Sequence, residues 1–528
     1  MESVNFMVDT RGKILWVDDE IDLLRAHIRL LEERGYNVET ATNGEDALGM
    51  VKQTGFDLVF LDEMMAGMGG LETLSGIKDI RPNLPVVMVT KNEEESLMEE
   101  AIGVKISDYL IKPVNPSQVL MACKKFLERK KISGQAVSRD YIQEFNEISL
   151  ALNDDVDHLQ WIDIYSRLVA RGIELDDHPE LGLTQTLNDQ WRECNLAFGR
   201  YVENNYRNWL DQTKDRPVLS PEVVDSYVLP ELQTNKSVIL FVVDCLRLDQ
   251  WIMMESLLHE YYNISKQYYF SILPTATPYS RNAIFSGSYP CDLETRFPEL
   301  WEKSEDDENS RNRYEKQFLD KLLERRRVSI KPEPKYVKII DAEFGRGIEN
   351  NINSYAQSKL TSIVVNFVDM LAHGRSDSSL LKEIAPDESA YRTLTRSWFL
   401  HSSLFGMLKT LSRNKNVTVL LTTDHGSIRC LRGAKVLGDR EASTNLRYKY
   451  GRNLKSEAKE AIFVKNPLDY KLPKRGIAVN YIFAKEDYYF VYPTDYHRYL
   501  NQYRDSFQHG GVSMEEMILP VIKLESKA

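Results

Sequence analysis

Short apolar runs alternate with amphipathic stretches between residues 11 and 130. The run at 13–17 ends in Asp18-Asp19, and Leu23, Leu24, Ile28, Leu30 and Leu31 then recur at helical spacing before Gly35. Further strand-like runs follow at 38–41, 58–61, 86–89 and 109–111, with a helical pattern over 44–54. Five buried-type strands separated by helices predict a doubly wound parallel sheet. In such sheets the site lies beyond the carboxyl ends of the strands. Asp62, Thr90 and Lys112-Pro113 stand at those ends, beside Asp18-Asp19.

The pattern changes over 133–235. Strand-like runs vanish, and apolar residues recur at helical spacing: Tyr141, Phe145, Ile148; Leu159, Ile162, Tyr165, Leu168; Trp191, Cys194, Phe198, Tyr201. Pro217, Pro221 and Pro230 close the stretch. This predicts an all-α helical bundle serving as a connector. From 236 to 528 an α/β pattern returns. Its strands are expected at 238–243, ending in Asp244; at 362–367, before Asp369; and at 417–421, before Asp424-His425. Residues 302–313 read as a solvated segment.

Length and composition alter this picture in four places. At 528 residues the chain has room for about three domains. Five scattered cysteines (Cys123, Cys194, Cys245, Cys291, Cys430) with no CxxC pair predict reduced thiols. No apolar run approaches the ~18 residues of a membrane span, and residues 1–13 do not read as a secretion signal. A cytoplasmic protein that does not engage a membrane is expected. The net charge is −12, but 133–235 alone carries −11 and the remainder −1. The acidity thus belongs to the connector and does not argue against an anionic substrate elsewhere.

In the first segment, three carboxylates converging on one edge repel, and a hard divalent cation such as Mg²⁺ relieves that repulsion. A phosphoryl group arriving at one carboxylate also needs a hydroxyl and a cation for its oxygens, which Thr90 and Lys112 supply. Residues 11–130 closely resemble the receiver domain of two-component response regulators, a flavodoxin-like fold. The matching residues are Asp18-Asp19, Asp62 followed by EMMAGMGG, Thr90, Tyr109 and Lys112-Pro113. The resemblance implies phosphorylation of Asp62, Mg²⁺ held by Asp18, Asp19 and Asp62, and Thr90 with Tyr109 as a switch pair. Ala66 stands where the family usually has Pro, a loop change that leaves the chemistry intact.

In the last segment, Asp369 and His373 lie one helical turn apart and face the same way. Asp424-His425 follows a strand, and His509 lies in HGGVSMEEMILP, where two glycines permit close backbone approach. Thr277 lies in PTATPYSRNAIFSG, a Pro-punctuated turn feeding a helix whose N-terminus favours a phosphate. Mixed Asp/His sets suit two Zn²⁺ ions. His27, His158, His178, His259, His401 and His497 have no convergent partners and read as structural.

The order Asp244, Thr277, Asp369-x-x-x-His373, Asp424-His425, His509 resembles the alkaline phosphatase superfamily. It is closest to the nucleotide pyrophosphatase/phosphodiesterase branch and to the PglZ domain. The resemblance implies Thr277 as nucleophile, with Thr275 as the second candidate. It also implies one zinc on Asp369, His373 and His509, and another on Asp244, Asp424, His425 and Thr277. The phosphodiesterases carry an Asn three residues after the nucleophile, where this chain has Ser280; Arg281 or Asn282 are the candidates to replace it.

Residues 428–455 carry a net charge of +6, including Arg447, Lys449 and Arg452, with Tyr448 and Tyr450 interleaved. Cations that pair phosphates and rings that stack bases suit a single-stranded oligonucleotide. A solvated basic face is the alternative. Over its whole length the chain resembles response regulators of the type IX secretion system. That resemblance implies a sensor histidine kinase, an extracytoplasmic-function sigma factor as partner and a homodimer on phosphorylation. It also implies phosphodiesterase activity on short cyclic or linear oligonucleotides. A signalling adaptor that binds a nucleotide or a protein without turnover is the second reading. A DNA-binding regulator is the third, although no basic recognition helix follows the first segment.

Overall fold

The computed structural model describes residues 11–82, 84–91, 106–301, 312–439, 442–494 and 496–527. Most of the 302–313 stretch, and Arg440 with Glu441 of the basic run, lie outside the described residues. The chain divides into two compact units, Met1–Asp140 and Tyr141–Ala528.

The first unit holds five parallel strands: β1 (Lys13–Val17), β2 (Asn37–Ala41), β3 (Leu58–Asp62), β4 (Val86–Thr90) and β5 (Asp108–Ile111), in the order β2-β1-β3-β4-β5. The two-residue period of a strand sends alternate side chains to opposite faces. Leu15, Val17, Val59 and Leu61 pack on Val51, Leu74 and Ile77. Ile14, Trp16, Leu58 and Phe60 pack on Leu31, Val119 and Cys123. Both faces are thus covered by helices, as a parallel sheet requires.

The second unit begins with helices, among them His158–Asp176 and Thr184–Asp211. Asp157 opens the former with a capping box completed by Gln160. These helices also pack on the segment that follows. Phe198 and Trp209 pack against Phe270 with ring centroids 6.0 and 5.7 Å apart, and Tyr206 accepts the Leu273 N–H at 2.7 Å. The Pro-punctuated stretch after them also joins the C-terminal core, where Val223, Val224 and Val228 are buried with Val238, Leu240 and Val242.

That core surrounds a six-stranded sheet. Its strands are β6 (Ser237–Val243), β7 (Tyr262–Phe270), β8 (Lys335–Ile339), β9 (Leu360–Val365), β10 (Val417–Thr422) and the C-terminal strand Ile518–Ser526. The order is β7, C-terminal strand, β10, β6, β9, β8. The last four run parallel, and the C-terminal strand is antiparallel to both neighbours. The expected strand at 362–367 is shifted: β9 ends at Val365, and Phe367 opens the helix Phe367–Asp377 that carries Asp369 and His373. Three small sheets from residues 428–508 lie outside this core sheet. No helix of the described residues is long and apolar enough to cross a membrane.

Candidate phosphoryl and metal sites

In the first unit, Asp18, Asp19 and Asp62 each place a carboxylate oxygen within 4.8 Å of the others. Asp18 and Asp62 are buried, and Asp19 is exposed. Lys112 Nζ lies 2.9 Å from Asp18 Oδ2 and 3.0 Å from Asp62 Oδ2, and the Lys112-Pro113 peptide is cis. Burial raises the Asp62 carboxyl above its ordinary range; Lys112 opposes this, and the charges of Asp18 and Asp19 reinforce it. Three acids with a single lysine between two of them remain short of positive charge, and hard oxygen donors fit Mg²⁺. Thr90 ends β4 and is buried; Tyr109 on β5 is 42% exposed.

The second unit gathers two further donor sets at the carboxyl ends of its parallel strands, where a doubly wound sheet leaves room for a site. Asp244 follows β6, and Asp424-His425 follows β10. Asp369 and His373 project from the helix after β9, and His509 follows the short strand Ser506–Gln508. Asp369, His373 and His509 form one set, and Asp244, Asp424 and His425 the other. In the first, His509 Nε2 lies 3.4 Å from His373 Nε2, and Asp369 Oδ1 lies 3.4 Å from His373 Nε2 and 3.6 Å from His509 Nε2. In the second, His425 Nε2 lies 3.7 Å from Asp244 Oδ1 and 3.8 Å from Asp424 Oδ2. The His425 and His509 rings stack at 4.2 Å, so the two sets adjoin.

The electrostatics of both sets suit a metal. Burial would raise Asp369, but His373, His509 and His425 hold it well below the usual carboxylate range. Burial, then the charge of Asp244, pushes Asp424 well above it. Asp424 Oδ2 is buried and accepts no hydrogen bond. His425 Nδ1 lies 3.1 Å from the Gly426 carbonyl. A carbonyl only accepts, so Nδ1 carries the proton, and the Nε2 lone pair faces the site.

Thr277 opens the helix Thr277–Ser286, and its Oγ1 lies 3.0 Å from His425 Nε2 and 3.3 Å from Asp244 Oδ1. Thr275 is engaged elsewhere: its hydroxyl donates to the Gly511 carbonyl and accepts the Gly510 N–H. Gly510 has φ +115°, and a Cβ there would lie 2.4 Å from the Tyr448 ring. This explains the glycine directly after His509.

Both candidates to replace the missing Asn already carry protein partners. Arg281 is buried, with Nη1 2.5 Å from Asp244 Oδ2 and Nε 2.5 Å from Glu315. It thus braces a site carboxylate. The Asn282 amide donates to the Pro278 carbonyl, and its oxygen accepts from Asn312. Ser280 Oγ lies 2.9 Å from Ser271 Oγ. Glu315, Tyr336 and Asn312 complete this shell: Tyr336 donates to Glu315, and Asn312 donates to the Thr277 carbonyl at 3.2 Å. Their distance along the chain hid them; only the fold brings them to Arg281.

The basic run requires correction. Arg447 and Lys449 are 0% and 1% exposed. Arg447 is bonded to Glu516 through Nε and Nη2, so it holds the loop after His509 rather than facing an oligonucleotide. Tyr448 and Tyr450 are buried too, and Arg452 pairs with Asp439 at 3.3 Å. Lys449 Nζ donates to the Ser443 carbonyl at 2.9 Å and lies 4.6 Å from the Tyr492 ring centre. Burial brings its pKa down to about 7 from the ordinary 10.5. Between those values the unfolded chain binds more protons, so Lys449 makes stability rise with pH and lowers it below that window. Lys449→Met should therefore be more stable than wild type at neutral pH. The difference should shrink toward about pH 10 in paired urea titrations. A constant difference across that range would refute the assignment.

With these sites in place, comparison with known proteins is decisive. The BREX system PglZ alkaline phosphatase-like domain matches residues 223–524. The chain belongs to that family. The response regulator receiver domain matches residues 14–124, and the PorX response regulator linker domain matches 131–210. Together they make the chain a PorX-type response regulator with an alkaline-phosphatase-like PglZ domain. A receiver domain implies a cognate histidine kinase.

The alginate biosynthesis transcriptional regulatory protein AlgB of Pseudomonas putida is 36% identical over 127 residues, 24% of this chain and 28% of AlgB. The CpxR homolog of Haemophilus influenzae is 36% identical over 141 residues, 26% of this chain and 60% of that protein. The chain therefore spans less than two thirds of either relative. A CheY-like receiver domain crystal structure from Methanospirillum hungatei is 30% identical, covering 22% of this chain and 94% of its own, with a TM-score of 0.22.

Proposed function

We propose that the PglZ domain is a two-zinc phosphodiesterase for short cyclic or linear oligonucleotides, gated by phosphorylation of Asp62. The observation that carries this reading is Thr277 Oγ1, held at a helix N-terminus 3.0 Å from His425 Nε2 and 3.3 Å from Asp244 Oδ1. Donor spacing supports zinc. Bonds of about 2.0–2.1 Å in a tetrahedron set neighbouring donors roughly 3.3–3.4 Å apart, close to the 3.4–3.6 Å seen among Asp369, His373 and His509. Those three would hold one ion, and Asp244, Asp424, His425 and Thr277 the other. Two bound ions would lower the pKa of the threonine hydroxyl and stabilise the entering and leaving oxygens.

Thr277 Oγ1 attacks phosphorus as the bond to the leaving nucleoside oxygen breaks. The threonine proton is released to solvent, and the leaving oxygen takes one up. Water then hydrolyses the bond from threonine to phosphorus, which still carries the other nucleoside, and so restores the hydroxyl and frees a terminal phosphate monoester. The helix N-terminus favours the negative charge at phosphorus throughout. Arg281 steers Asp244. The test is mass-spectrometric detection of a cleaved linear product from a cyclic dinucleotide; intact substrate after prolonged incubation with zinc would reject turnover.

A non-catalytic adaptor, binding a nucleotide or a sigma factor, is the second reading. One observation favours it: Arg281 already occupies Asp244 Oδ2. In the first unit, acetyl phosphate should load Asp62, and Asp62→Ala should remove essentially all incorporated phosphate in a Phos-tag gel. Undiminished loading would sink the assignment.

A further inference from the structure

A cavity of about 390 Å³ lies in the second unit, and none of the metal-type donors lines it. The helices His158–Asp176 and Thr184–Asp211 line one side. The other comes from segments continuous with the donors: Arg247 and Asp249 beyond Asp244, Ile428 beyond His425, and Glu515 beyond His509. Its volume falls in the roughly 300–1,000 Å³ range of small-molecule sites.

The charged groups of its wall differ in what they leave open. Arg247 is bonded to Asp249, Glu388 and the Ser427 carbonyl. Arg392 is bonded to Asp176 and Asp249, and Arg432 to Glu486 and Asp487. Arg429 is bonded to Asp505 and the Pro386 carbonyl. The deep cations are thus engaged by protein acceptors. Two carboxylates have capacity to spare. Asp487 Oδ2 is buried and accepts no hydrogen bond, on a side chain only 9% exposed. Glu515 takes its side-chain hydrogen bonds from the Asn195 amide, and burial lifts its carboxyl up to about 7. A buried acceptor without a donor is costly, so the wall is short of donors and of positive charge. Tyr165 and Trp191 meet edge to face at 5.8 Å, and Val169 and Leu187 add apolar surface.

We propose that this cavity binds a small organic amine. Its ammonium is taken by the spare oxygens of Asp487 and Glu515, and its apolar body lies against Tyr165 and Trp191. An ammonium brings three donors and no acceptor, and aromatic faces attract it further. An anion of the same shape meets the spare carboxylates and no spare deep donor. The site requires nothing of the chemistry at Thr277.

Phenethylamine and phenylacetate share one ring and carry opposite charge, so they separate charge from shape. Calorimetric titration of the full chain should show phenethylamine binding at least tenfold tighter than phenylacetate, with a rise in Tm for the amine alone. Asp487→Asn and Glu515→Gln should each weaken the amine at least tenfold, and Leu187→Trp should abolish its binding by filling the space. Absence of amine binding, equal affinity for the acid, or full affinity in Asp487→Asn would overturn the proposal. Should Glu515→Gln fail to fold, Asp487→Asn and Leu187→Trp still decide it.

Discussion

Thr277→Ala is expected to lower phosphodiester cleavage by about 10⁴-fold or more, the scale seen when a covalent nucleophile is removed. The fold should barely change. The substitution deletes one hydroxyl whose contacts are Asp244 and His425, a loss of about 1 kcal/mol. Complete removal of metal by a chelator should abolish activity equally but also lower Tm. Without an ion, Asp244 and Asp424 remain buried together with Arg281 as the nearby cation. A rate assay and a thermal scan on the same samples separate the two effects. Thr275→Ala should behave differently again. Its hydroxyl ties Gly510 and Gly511, so its loss should weaken metal affinity through His509 before it touches turnover at saturating zinc. Undiminished cleavage by Thr277→Ala, or after full metal removal, would reject the mechanism.

How far the sequence discloses this molecule depends on what each element buries. β1, β3, β4 and β6 lie between layers of helices, so nearly every residue is apolar and the run stands out. β7 reads YNISKQYYF, with only its ends buried, and gives no such signal. The short strands of residues 428–508 run three to five residues and pair with partners far along the chain, beyond the reach of local pattern. Asp244, Asp424 and His425 were legible because Asp and His just after a buried strand have few structural uses, and Asp369 with His373 because they stand one helical turn apart. Arg281 stood in plain view in the same helix, but its partner Glu315 comes from another. A sequence shows that Arg281 is charged and cannot show which carboxylate claims it.

The basic run illustrates the converse error. Charge density along a chain carries no information on burial. Arg447 and Lys449 alternate with Tyr448 and Tyr450 on the strand Tyr448–Gly451, all four residues of which are enclosed. Enclosure became possible because Glu516, some seventy positions later, meets Arg447. The same geometry gives Arg447 a positioning role at the loop after His509.

Arg447→Met should therefore cost about 3–5 kcal/mol in urea unfolding of the full chain, the usual penalty for breaking a fully buried ion pair from one side. Arg447 and Glu516 are each 0% exposed. Removing the guanidinium leaves Glu516 with the Gly511 N–H, the Ser513 hydroxyl and a long 3.5 Å contact from the Thr275 hydroxyl as donors, too little for a buried carboxylate. Glu516→Gln in that background should recover part of the loss, because the residue left behind is then neutral, and the double-mutant cycle measures the coupling. Arg447→Lys should not restore stability, since a lysine cannot make the two-pronged contact. Because Gly510 and Gly511 follow His509 directly, zinc affinity should fall along with stability. A substrate-contacting arginine would give the opposite result, a raised KM with stability and metal affinity unchanged; that outcome would return Arg447 to the ligand-binding surface.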